Sequence, residues 1–265
     1  MSTTIDAVIL GGGKIKQAAG ETLSASAEVV GKGLIRLSGR EMIEYVIDAL
    51  KNVERVRRIV VVAPESALHE SWSSCVDAVI PTVGSAVDNG VEALKYLKEN
   101  SPGLTKYVLF MTCDIPLITT EAIDDFLDRC QTTNDDVYYP VILREVVEAK
   151  YPETKRTYAK LRGATITGGN FALMEPEVIL ANLNLLEDAY SARKSVFQTL
   201  RLLGPKMIVK FLTRTLTLSD IEKRVTKIIN ARAKTIVTPY PEVGVDVDKP
   251  EDLKLVSKLM ADART

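Results

Sequence analysis

Apolar and polar positions along the first half of the chain alternate between two periods, that of strands and that of helices. AVIL (7–10) is a short apolar run that ends at glycines. REMIEYVIDALKN (40–52) sets Met42, Ile43, Val46, Ile47 and Leu50 along one stripe of a helix. RIVVVAP (58–64) is a continuous, largely β-branched run, the pattern of a strand buried on both faces. VDAVIP (76–81) predicts a short strand and SAVDNGVEALKYLKEN (85–100) a helix that stops before Pro102. KYVLFMTCD (106–114) predicts a strand running into Asp114. TTEAIDDFLDRC (119–130) predicts a helix with acidic residues early, where the helix dipole favours them. This alternation predicts an α/β fold with a mostly parallel sheet flanked by helices. Ligands of such sheets sit beyond the carboxyl ends of the strands. The glycine run and Asp114 both fall at such ends.

The second half is less regular. DVYYPVI (136–142) predicts a strand, followed by a polar loop rich in Lys, Arg and Tyr to about residue 165. ATITGGNFALM (164–174) predicts a strand with a glycine pair inside it, and Pro176 opens a helix. A helix over SVFQTLRLLG (195–204) and a strand over MIVKFLT (207–213) are expected next. Ser219 and Glu222 have the spacing of a capping box for a helix over 220–231, as do Asp248 and Glu251 for the last helix. No linker, internal repeat or low-complexity segment interrupts the chain, so a single domain is expected over residues 1–265.

Composition narrows the chemistry. The 265 residues carry a net charge of −1, so no overall field draws the protein to nucleic acid or to a membrane surface. No apolar stretch approaches the roughly 20 residues that span a bilayer. The start, MSTTIDAVIL, lacks the basic region and long apolar run of a secretory leader. Cys75, Cys113 and Cys130 are far apart, with no paired metal-site spacing. A cytoplasmic location is expected. His69 is the single histidine and has no motif around it. Catalysis must therefore rest on carboxylates, lysines and backbone amides, with or without a metal.

The glycine loop fits neither common phosphate-binding fingerprint. Reading G-x-G-x-x-G from Gly11 puts Lys16 at the last glycine position, and reading it from Gly12 puts Lys14 at the second. The P-loop pattern fails at Gly31-Lys32, which is followed by Gly33. A wider pattern does match. Leu10-Gly11-Gly12-Gly13 is followed by a polar stretch and then by Lys32, Leu34, Leu37, Gly39, Arg40, Met42 and Ile43 in GKGLIRLSGREMI. MTCDIPLIT, TGGNFALM and VDVDKPEDL come after it in order. Together these segments resemble the nucleotidyltransferases related to molybdenum-cofactor guanylyltransferase, over residues 7–253. One departure is that Gln17 stands where the family usually has arginine, with Lys14 and Lys16 beside it and Ile15 at the usual Ser/Gly position.

The resemblance implies a Rossmann-like, GT-A-type domain and transfer of NMP from an NTP to a phosphorylated small-molecule acceptor, with release of pyrophosphate. It implies a nucleotide-binding half (1–135), an irregular acceptor-side lid (136–235) and a metal-site strand with the C-terminal helix (236–265). Leu10, Gly11, Gly12, Gly13, Lys14 and Lys16 would cradle the β- and γ-phosphates. Lys32 would neutralise charge developing on the α-phosphate. Asp114 would bind Mg²⁺ or Mn²⁺, joined by Asp246 or Asp248, which are two apart and share a side if extended. Gly84, Ser85 and Asn89 would meet the base. Gly168, Gly169, Asn170 and Arg156 would meet the acceptor. A phosphate acceptor is already deprotonated, which suits a chain with one histidine. A glycosyltransferase of the same fold using a nucleotide sugar is one alternative. It would need a D-x-D where the chain reads Thr112-Cys113-Asp114. A non-catalytic nucleotide-binding regulator is the other.

Overall fold

The computed structural model describes residues 4–12, 31–100 and 103–262. Gly13, Lys14, Lys16 and Gln17 lie outside the described residues. Strand β1 (Ile5–Leu10) leads into Gly11 and Gly12. A 3-10 turn over Lys32–Leu34 precedes a small hairpin, β2 (Arg36–Leu37) and β3 (Arg40–Glu41), and helix α1 (Met42–Lys51). Next come β4 (Val56–Ala63), β5 (Ala78–Pro81), α2 (Ala86–Glu99), β6 (Val108–Thr112) and α3 (Thr120–Cys130). They are followed by β7 (Val137–Leu143), α4 (Arg144–Lys150), β8 (Ala159–Leu161), β9 (Ala164–Gly168) and β10 (Phe171–Met174). Five helices, α5 (Pro176–Ala181), α6 (Leu183–Ala192), α7 (Val196–Leu203), α8 (Pro205–Leu212) and α9 (Leu218–Ile229), precede β11 (Ala233–Thr238) and α10 (Pro250–Asp262).

Nine strands form one sheet in the order β5-β4-β1-β6-β10-β7-β9-β8, with β11 on β7. β1 pairs in parallel with β4 and β6, β4 with β5, and β7 with β11. β10 is antiparallel to β6 and β7, and β9 to β7 and β8. Only β9 and β10 therefore run against the rest, and the sheet is mostly parallel, as the alternation predicts. Side chains alternate faces along a strand. Ala7, Ile9, Val61, Leu109 and Met111 bury against Ile43, Val46, Ile47 and Leu50 of α1 and Ile123 and Phe126 of α3. Val8, Val60, Val62 and Val108 bury on the other face, against Ala93, Leu94 and Leu97 of α2. Burial on both faces explains why these strands are continuously apolar in sequence.

The second half departs from its predicted elements in five places. Residues 207–212 are helical, within α8, where Pro205 occupies the first turn and Thr213 is the C-cap. Met207, Ile208 and Phe211 face the same apolar cluster while Val209 and Leu212 are exposed, a helical stripe and not a strand alternation. The capping box of α9 is Thr217 with Asp220 rather than Ser219 with Glu222. Glu222 is drawn away to accept hydrogen bonds from the Thr235 amide and hydroxyl. At α10 it is Asp252 that accepts from the amides of Asp248 and Lys249, so Asp248 and Glu251 make no capping box. The 144–165 stretch holds α4 and β8 in place of a loop, and with the helices α5–α9 the 136–235 segment is mostly regular structure. The glycine pair splits the predicted strand 164–174 into β9 and β10, both on the same edge of β7. A Cβ at Gly169 would come within 2.8 Å of Val243 and Pro140 side-chain atoms, so the two segments approach too closely for any larger residue.

Candidate active site at the carboxyl ends of the central strands

The site begins where β1 and β6 end. Gly11 donates to the Val62 carbonyl, and Cβ atoms at Gly11 and Gly12 would lie 2.9 Å from the Val62 oxygen and 2.8 Å from Thr82 Cγ2. Close packing against the Val62 backbone at Gly11 and against the Thr82 side chain at Gly12 therefore already favours these two glycines. Beyond β6 the chain turns through Cys113 and Asp114. The Asp114 carbonyl accepts from the Val247 amide at 2.9 Å, which fixes the VDVD segment beside it. Val245 and Val247 are buried, so the intervening Asp246 and Asp248 project to the opposite side. Carboxylate oxygens of Asp114, Asp246 and Asp248 lie within 4.8 Å of one another.

Three cations meet this triad. Lys32, at the start of its 3-10 turn, is buried and donates to Asp114 Oδ2 at 2.9 Å and to Asp248 Oδ1. Burial alone would lower its pKa, but the two carboxylates outweigh burial and hold it well above the usual lysine range. Arg156 donates to Asp246 Oδ1 and, at 3.1 Å, to the Gly168 carbonyl. Lys194 donates to Asp248 Oδ2. Burial would raise the Asp248 pKa, yet its bonds to Lys194 and Lys32 hold the carboxyl well below the usual range. Asp246 moves the other way: burial raises it, the neighbouring Asp114 and Asp248 charges add to that, and Arg156 opposes them.

One buried oxygen of the triad is left without a partner. Asp114 Oδ1 is buried with no hydrogen-bond partner, as are Thr112 Oγ1 and Arg156 Nε nearby. A buried carboxylate oxygen without a partner is costly unless something else meets it. The three carboxylates, hard oxygen donors, suit a divalent cation such as Mg²⁺. Lys32, Thr112, Asp114 and Asp248 line a cavity of about 440 Å³ together with Tyr190 of α6, Gln198 of α7, and Arg193 and Lys194 of the turn between them. Arg193 lies over the Tyr190 ring, 3.5 Å from its centroid.

The structure thus brings Leu10, Lys32, Asp114, Asp246, Asp248 and Arg156 to one place, and Gly168 reaches it through its carbonyl. Gly84, Ser85 and Asn89 sit at the start of α2. There Ser85 caps the helix, accepts from the Asp88 amide and donates to Glu187 of α6. Asn89 is buried and accepts from the amides of Val83 and Gly84. The Asn170 side chain donates to the Val243 carbonyl. Sequence reasoning missed Thr112, Tyr190, Arg193, Lys194 and Gln198. The signal for the middle three was the run YSARK, a basic pair directly behind a tyrosine at a helix end. His69 is exposed on a 3-10 turn after β4, and Cys75, Cys113 and Cys130 are unpaired. Among the described residues no helix is long and apolar enough to cross a membrane.

Comparison with known proteins agrees with this layout. No curated protein sequence matches the chain significantly. A solved hypothetical transferase from Thermus thermophilus is 34% identical, with a TM-score of 0.77 over 94% of this chain and 99% of that one. CMP:2-keto-3-deoxy-manno-octonic acid synthetase complexed with CTP shares the fold at 15% identity, with a TM-score of 0.59 over 99% of this chain and all of that one. So does 4-diphosphocytidyl-2C-methyl-D-erythritol synthase from Anaerococcus prevotii, at 13% identity and a TM-score of 0.56 over 98% of this chain and all of that one. The profile of the MobA-like NTP transferase domain matches residues 7–202, from β1 through α7. With that profile covering most of the chain and the carboxylates gathered at the strand ends, the protein belongs to the MobA-like NTP transferase family and is a transferase.

Proposed function

We propose that the protein transfers a nucleoside monophosphate from an NTP to a phosphorylated small-molecule acceptor. An acceptor phosphate oxygen forms the new bond to the α-phosphorus, the bond from that phosphorus to the bridging α–β oxygen breaks, and pyrophosphate leaves. The observation that carries this reading is a buried lysine and three carboxylates around an unpartnered Asp114 oxygen, beside a glycine turn at the strand ends. Alignment and charge neutralisation supply most of the catalysis in such transfers.

In this reading Gly11 and Gly12, with Gly13, Lys14 and Lys16, receive the β- and γ-phosphates, and Lys32 faces the α-phosphate. Asp114, Asp246 and Asp248 would hold Mg²⁺ or Mn²⁺, which when bound neutralises phosphate charge. The turn 82–85 takes the base side. Gly84 faces the base, while Ser85 and Asn89 hold the turn in shape through their bonds to Asp88 and to the Val83 and Gly84 amides. Arg156 and the Gly168-Gly169-Asn170 bend border the acceptor side, all within one nucleotidyltransferase unit spanning residues 1–265. A thermal-shift panel of NTPs with and without Mg²⁺ tests the binding half of the proposal. One NTP with Mg²⁺ is expected to raise the melting temperature, by the equivalent of about 2.7 kcal/mol at a hundredfold excess over Kd. Pyrophosphate release over a panel of phosphorylated acceptors tests the chemistry. No response to any NTP overturns the reading.

A further inference from the structure

The three cations around the triad are not equivalent. Lys32 is 7% exposed and is held by two carboxylates at once. Arg156 is tied to both Asp246 and the β9 backbone. Lys194 is 37% exposed, and among the described side-chain contacts it has the single partner Asp248. It sits on the turn between α6 and α7.

Asp248 has both oxygens occupied, Oδ1 by Lys32 and Oδ2 by Lys194. Asp114 has Oδ2 on Lys32 and Oδ1 buried without a partner, and Asp246 has only Oδ1 held, by Arg156. A divalent cation can therefore meet an oxygen of Asp114 and one of Asp246 with every ion pair intact, but it gains an Asp248 oxygen only when one lysine leaves. The exposed, singly held cation on a flexible stem is the one that can leave. We infer that Lys194 is a resident counter-ion standing in the metal's place on Asp248, and that cation binding displaces it toward the cavity mouth.

The inference rests on the metal reading given under the proposed function and adds a consequence to it. With Lys194 in place, three side-chain cations face three carboxylates and the site is balanced. Exchange of Lys194 for a divalent cation leaves Lys32, Arg156 and the displaced ammonium in place around the metal, an excess of positive charge. That excess is relieved by an anionic ligand, so metal and nucleotide triphosphate enter together more readily than metal alone. The freed ammonium would remain near Arg193 and Gln198, which line the same cavity, where the phosphates of such a ligand would pass.

Mn²⁺ binding to the full-length protein without nucleotide, followed by electron paramagnetic resonance of the free ion, tests this directly. Lys194→Met is expected to bind Mn²⁺ up to about fivefold more tightly than wild type, the order expected for loss of one partly exposed ion-pair competitor. Lys194→Arg retains wild-type affinity. Arg193→Met removes a neighbouring charge that rests on the Tyr190 ring, and it stays within about twofold of wild type. A merely structural role for Lys194 gives no tightening, because loss of packing weakens a site. Equal or weaker binding by Lys194→Met overturns the inference and leaves the metal reading intact. Absence of Mn²⁺ binding in wild type and in every variant, with and without NTP, overturns the metal reading and the inference with it. Binding by Lys194→Met but not by wild type supports both.

Discussion

Two buried carboxylates stand at opposite ends of the same central strands, and they are finished differently. Asp6, near the amino end of β1, is fully buried, and both of its oxygens are satisfied. Arg57 and Arg58 each donate two N–H groups to it, at 2.7–3.1 Å, and the Thr105 hydroxyl adds another at 3.2 Å. Burial would raise its pKa, but the two guanidinium groups reverse that and hold it low. Asp114, past the carboxyl end of β6, has one oxygen on Lys32 and the other buried with no partner. The first arrangement is complete within the protein and ties β1 to β4. The second leaves a buried oxygen without a partner inside the protein, which the proposed metal would meet. The contrast separates a structural ion pair from a binding site more sharply than burial or charge count does, since both residues are acidic and both are largely enclosed.

Substitution at each end breaks the comparison in opposite directions. Asp114→Asn keeps the shape but removes the charge, and it is expected to lower the rate of pyrophosphate release by about 10²–10³-fold, the cost of losing one fixed electrostatic group at a reacting centre. Its melting temperature stays close to wild type, because the residue is not the anchor of any element. Asp6→Ala does the reverse. It leaves two guanidinium groups facing a buried gap and costs about 3 kcal/mol in urea unfolding, while activity per folded molecule is kept. Equal loss of stability at both positions would erase the distinction.

The pH dependence sharpens it further. The folded pKa of Asp6 lies below its ordinary value of 3.8, so its contribution to stability is present above that value and is lost as pH falls through the lowered folded value. Urea midpoints measured from neutral pH downward should therefore fall more steeply for wild type than for Asp6→Asn in the acidic range. A smaller effect is expected at the start of α2. Ser85→Ala removes a helix cap and the bond to Glu187 of α6, costs about 1 kcal/mol of stability, and leaves the kcat of nucleotidyl transfer unchanged. A drop in kcat there would give Ser85 a part in the chemistry that its hydrogen bonds do not suggest.

The half of the molecule that carries the strand ends was legible because one constraint serves several levels. Strands buried on both faces must be continuously apolar, and polar residues at their carboxyl ends are free to serve a ligand. RIVVVAP, KYVLFMTCD and the alternating VDVD could therefore be read directly. The second half was harder because its signals compete. TLTLSDIEK offers two overlapping capping patterns, Thr217 with Asp220 and Ser219 with Glu222, and only the pairing of Glu222 with Thr235 across the fold decides between them. MIVKFLT is apolar enough for either period, and the decisive clue was Pro205 two residues earlier, at the first turn of a helix. For Lys194 the local run YSARK shows a basic pair at a helix end but not what it meets. Its importance comes from a partner 54 residues away in sequence, Asp248.

The central claim is that the unfinished carboxylate at the strand ends is where metal and nucleotide meet. Isothermal titration of wild type and Asp114→Asn with each NTP, with and without Mg²⁺, tests it most directly. The account predicts that one NTP binds wild type with clear dependence on Mg²⁺, and that Asp114→Asn loses this dependence. Nucleotide binding that is indifferent to both the metal and Asp114 would contradict it.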